Sequence, residues 1–157
     1  MNARIILGLC TLFFIFLTIP TYAAELELTA DEQAFLSDMK ETGIPMLFQT
    51  PEAMSIGVFY GRDTAISDIA AKKTENLDAF IEKISAYTLG QQTGSLRESW
   101  LSAAKVLKTD LEEYGTLIPG CGSCVSTMNE MYPKLLESAS GVYEDMISFY
   151  QENQVSS

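Results

Sequence analysis

The chain has 157 residues, with 21 Asp and Glu against 10 Lys and Arg, a formal net charge of −11 and no histidine. Nucleic acids are bound through Lys and Arg that displace counterions from a polyanion, so this charge argues against a nucleic-acid partner and against anionic membrane surfaces. The missing histidine removes the commonest general base, the usual zinc and haem ligand, and every Ser-His-Asp or Cys-His arrangement.

Arg4 precedes an apolar run from Ile5 to Leu17, which Pro20 breaks before Thr21-Tyr22-Ala23-Ala24. This order of charge, apolar stretch and small residues predicts a secretory signal peptide over residues 1–23, cleaved after Ala23 with Thr21 and Ala23 in the positions the peptidase reads. From Ile5 to Ile19 the run is shorter than the roughly 20 residues of a bilayer crossing, so no stable membrane anchor is expected after cleavage. Cys10 follows bulky Leu9 and lacks the setting of a lipid-attachment cysteine. Losing Arg4 and no acidic residue moves the net charge from −11 to −12. The remainder, residues 24–157, is one domain's length, and its expected place is the periplasm or the secreted space.

Thr29-Ala30-Asp31-Glu32 is a capping box that predicts a helix from about Ala30 to Thr42, ended by Gly43 and the Ile44-Pro45 step. Between Met46 and Arg62 the period is weak. Thr50-Pro51-Glu52 reads as an N-cap with Pro at the first helical position, giving a short helix, while Ile56 to Tyr60 would also suit an extended segment. If that stretch is helical, Gly57 and Gly61 share a face and admit a close neighbour.

From Thr64 to Tyr87, Ile66, Ile69, Leu77, Phe80, Ile84 and Tyr87 recur at helical spacing, the mark of a long amphipathic helix. Leu89 to Gly94 reads as a loop and Ser95-Leu96-Arg97-Glu98 as a second capping box. The helix it starts carries Leu96, Trp100, Ala104, Leu107, Leu111 and Tyr114 on one face, with Gly115 as C-cap. Pro119 to Cys124 forms a turn into a last helix, roughly Val125 to Glu152, with the stripe Met128, Met131, Leu135, Ala139, Val142, Met146 and Phe149. Pro133 predicts a kink or short break near Asn129 to Tyr132. The economical architecture is an all-α, single-domain bundle of about four helices.

Cys121 and Cys124 are the cysteines left after cleavage, and an oxidising compartment should pair them. A structural bridge is the first reading. A redox pair is the second, because a helix N-terminus stabilises a thiolate in Cys-x-x-Cys, although the strand pattern of a thioredoxin-like fold is missing. Met128 and Met131 would complete a soft-metal set, but their stripe continues in register through Leu135 and Val142, as core residues do. No catalytic residue, metal site or cofactor is expected.

Glu112, Glu113, Glu144 and Asp145 lack the glycine and ligand spacing of a calcium loop and are candidates for contact with a partner. The expected function is a non-catalytic binding or accessory role, such as an inhibitor or immunity protein neutralising a basic protein partner. The alternative is a thiol–disulfide oxidoreductase or redox partner using Cys121 and Cys124.

Overall fold

The computed structural model describes residues 27–60, 65–117 and 122–153, and every element in them is helical. Helices α1 (Ala30–Asp38) and α2 (Ile44–Tyr60) are joined without interruption by a π turn (Met39–Gly43). Helices α3 (Ala65–Ser85), α4 (Gln91–Tyr114) and α5 (Gly122–Glu152) follow. Counting the first joined rod once, the described residues form a four-helix bundle. The expected leader, with its cleavage site and Cys10, lies outside the described residues. Among those residues no helix is long and apolar enough to cross a membrane.

Consecutive helices run antiparallel. Near one end Lys83 of α3 pairs with Asp38 of α1 at 2.6 Å, and Asp31 reaches the Thr88 amide at 2.9 Å. Ser99 of α4 touches Asp145 of α5, and Phe48 of α2 meets Tyr143 of α5 edge to face. The four rods form a ring in which α2 and α4 each pack against α3 and α5. The stripes expected on α4 and α5 are buried in full, from Leu96 to Tyr114 and from Met128 to Phe149. On α3, Ile66, Leu77, Phe80 and Ile84 are buried, whereas Ile69 and Tyr87 lie at the margin.

The first rod corrects the expected stop at Gly43 and Pro45. The Ile44 amide donates five residues back to the Met39 carbonyl, and this wider turn carries the chain past a proline that has no amide of its own. Gly43 is a point of close approach and not a cap. A Cβ there would stand 2.9 Å from Phe80 Cε1, and the Gly43 carbonyl accepts a hydrogen bond from Trp100 Nε1 at 3.0 Å. Trp100 is fully buried, with its ring edge-on to Phe80 at 5.0 Å.

Thr50 likewise starts no new helix. Pro51 sits inside α2, and Leu47, Met54 and Val58 are buried on the face that also carries Pro51. That helical spacing replaces the extended alternative at 56–60. Gly57 is the close-approach position anticipated for it, with Tyr114 Oη where a side chain would stand. Gly61 lies outside the described residues.

Further boundaries move, and α5 begins at Gly122, inside the turn expected over Pro119 to Cys124. Helix α4 begins at Gln91 with Gly90 as N-cap, so Leu89 to Gly94 is mostly not loop and the Ser95–Glu98 box lies inside a helix. The cap comes from another helix: Glu32 Oε1 accepts from the Gly90 amide at 3.1 Å and from the Thr93 hydroxyl at 2.8 Å. A carboxylate there also opposes the positive end of the α4 dipole. In α5 the helix runs unbroken across Pro133, with Asn129 and Pro133 both exposed, so water can serve the carbonyl that loses its donor.

Candidate functional site

The acidic side chains divide into two populations. The first is committed to the fold at the α1, α3 and α4 corner. Glu32 closes its own capping box, accepting from the Thr29 amide at 2.9 Å, while it also caps α4. The Thr29 amide, then the Thr93 hydroxyl, outweigh the cost of burial and pull its carboxyl down to about 2. Burial would raise Asp38, but hydrogen bonds from the Lys83 ammonium and from the Tyr87 hydroxyl at 2.5 Å hold it below its ordinary value. The same bonds raise Lys83 and Tyr87. Arg97 ties the corner to the α3–α4 connection by donating to the Tyr87 carbonyl at 3.1 Å.

The second population faces solvent along the groove between α4 and α5. Two adjoining cavities of about 310 and 360 Å³ open there, and both are lined by Asp145. Ser95 and Ser148 line the first; Ser99, Ser102 and Ser138 line the second with Gly141. These short side chains follow from helical spacing on both walls and leave the groove open. Its charges are Asp145, Glu144 and Glu152, and no Lys or Arg lines either cavity. Ser99 Oγ donates to Asp145 Oδ2 at 2.6 Å, which orients that carboxylate on the groove wall. A nucleophilic serine is activated by an adjacent base, most often histidine, and the chain has none. What this surface offers is hydrogen-bond acceptors and negative charge.

Of the four acidic candidates, Glu144 and Asp145 line the groove, whereas Glu112 and Glu113 are exposed in the last turn of α4. Ser99 marks the level of Asp145, and Glu112 lies 13 residues further along the same helix. At 1.5 Å per residue the two pairs are ~20 Å apart along the bundle axis. Near Glu113, burial first and then the Glu113 charge raise the Asp110 carboxyl.

Cys124 is buried in the first turn of α5, and Cys121 lies outside the described residues. Met128 and Met131 are buried core, as their stripe predicts. Reasoning from sequence missed the second role of Glu32, because its capping box is complete without Thr93 and Gly90. No protein-family model, curated protein or solved structure matches the chain.

Proposed function

We propose that the protein is exported and works without catalysis, as a binding or accessory protein that docks a basic partner in the α4–α5 groove. The observation that carries this reading is the groove itself: carboxylates on its wall, short side chains that admit a partner, and no lining cation. An inhibitor or immunity protein that neutralises a basic partner is its concrete form. Complementary charge acts mainly on association rate and specificity, and is screened over ~8 Å at physiological ionic strength. The on-rate of a captured partner should therefore fall as salt rises and fall again when Glu144 and Asp145 are reversed to Lys. An on-rate indifferent to both would overturn the reading.

The Cys121–Cys124 pair fits a structural bridge at the start of α5. A redox site needs one accessible, low-pKa sulfur; Cys124, disulfide-bonded and only 5% exposed, is not that sulfur, so the role would fall to Cys121. The double Cys→Ser variant should keep partner binding. Catalytic turnover in an insulin-reduction assay, lost in that variant, would favour the oxidoreductase instead.

A further inference from the structure

On the opposite side of the ring from the α4–α5 groove, a cleft of about 210 Å³ opens where the π turn and α2 meet α3. Glu41, Thr42, Gln49 and Thr50 line one wall; Lys73 and Asn76 line the other. We propose that this cleft binds a small zwitterion, a free amino acid, with the ligand's carboxylate toward Lys73 and its ammonium toward Glu41.

Three observations converge on the place. Thr50 is 2% exposed, one of two buried polar residues among the described ones, and it lines the cleft. A hydroxyl at the floor of a cleft can both donate to and accept from a polar ligand. Lys73 takes no part in the two ion pairs among the described residues, Lys83–Asp38 and Lys108–Asp78, although acidic side chains outnumber basic ones 21 to 10. Finally, Pro45, the second residue after the π turn, lines the cleft and brings no amide, so a carbonyl of that turn lacks its helical donor. Single π turns within α-helices recur at functional sites.

The chemistry of the walls selects the ligand. A carboxylate and an ammonium on facing walls of a cleft also lined by hydroxyls and amides match a molecule that carries both charges. The volume is that of about seven waters at ~30 Å³ each, below the range for drug-sized ligands, so an amino acid fits and a peptide does not.

Calorimetric titration of the intact protein with each of the twenty common amino acids tests this. At least one should bind saturably, one per chain. Its analogues lacking either the amino or the carboxyl group should bind about tenfold more weakly or worse, since each lost charge-assisted contact is worth a factor of that order. Lys73→Gln, Glu41→Gln and the isosteric Thr50→Val should each cause a similar loss. If Thr50→Val does not fold, the other two variants, both at the cleft mouth, decide the matter. Absence of saturable heat with all twenty, single-charge analogues that bind equally well, or binding that survives the Lys73 and Glu41 changes would each overturn the proposal.

Discussion

The corner formed by α1, α3 and α4 and the groove between α4 and α5 are built from the same residue types and do opposite things with them. At the corner, Asp31, Glu32 and Asp38 spend their charge on backbone amides, hydroxyls and a lysine of neighbouring elements. In the groove, Glu144, Asp145 and Glu152 face solvent, and the bond from Ser99 to Asp145 lies between two exposed or half-exposed residues. Net charge alone therefore overstates the surface available to a partner. The carboxylates that hold helices together have to be set aside before the rest are read as an interaction surface.

The largest effect should come from the apolar anchor beside that corner. Trp100→Ala removes a fully buried ring and the indole bond to the Gly43 carbonyl, and should cost about 3–5 kcal/mol in denaturant unfolding. A loss under about 1 kcal/mol would mean that the first rod does not depend on α4 at the π turn.

Next is the close approach at the other end of the bundle. In Gly57→Ala the new Cβ would collide with Tyr114 Oη, and overpacking of this kind costs about 1–3 kcal/mol. The same change on a Tyr114→Phe background should cost less, because the clashing atom is gone. Tyr114→Phe alone should be neutral or stabilising, since that hydroxyl is buried without a partner and burial drives its pKa up to about 12. Equal costs in the two backgrounds would show that the clash is relieved elsewhere.

The comparison is sharpened most by changing one carboxylate in each region. Glu32→Ala removes a cap shared by two helices and should cost about 1–2 kcal/mol. Because its carboxyl lies at about 2 in the fold against an ordinary 4.5, its contribution is complete above pH 4.5 and is lost as pH falls toward 2. Glu32→Gln should flatten the acid limb of a stability profile in that window. By contrast, Glu144→Gln and Asp145→Asn should leave unfolding within about 0.5 kcal/mol of the parent. A comparable loss in both regions would erase the distinction.

Much of this fold can be read from spacing alone. The stripes on α4 and α5 are buried in full because apolar residues three and four apart determine a helix face whatever the neighbours are. Gly43, Pro45 and Pro51 mislead for the opposite reason. Their local meaning is a stop or a start, and only Phe80 and Trp100, far along the chain, make the stop a close packing point. The start of α4 is hidden from its own sequence in the same way, since its cap resides on α1. In the candidate site, Glu144 and Asp145 are visible as charge, but nothing local separates them from Glu112 and Glu113. Asp145 meets Ser99 across 46 residues of sequence, and that juxtaposition defines the groove.

The central claim, that this groove is the working surface, is tested most directly by capturing partners from envelope extract on three immobilised proteins. These are the parent, Glu144→Lys with Asp145→Lys, and Glu112→Lys with Glu113→Lys; the two variants change net charge equally. The account predicts that the parent retains a basic protein at low salt, that the Glu112 and Glu113 variant retains it nearly as well, and that the groove variant loses it. Retention by the groove variant, or equal loss from both, would contradict the account.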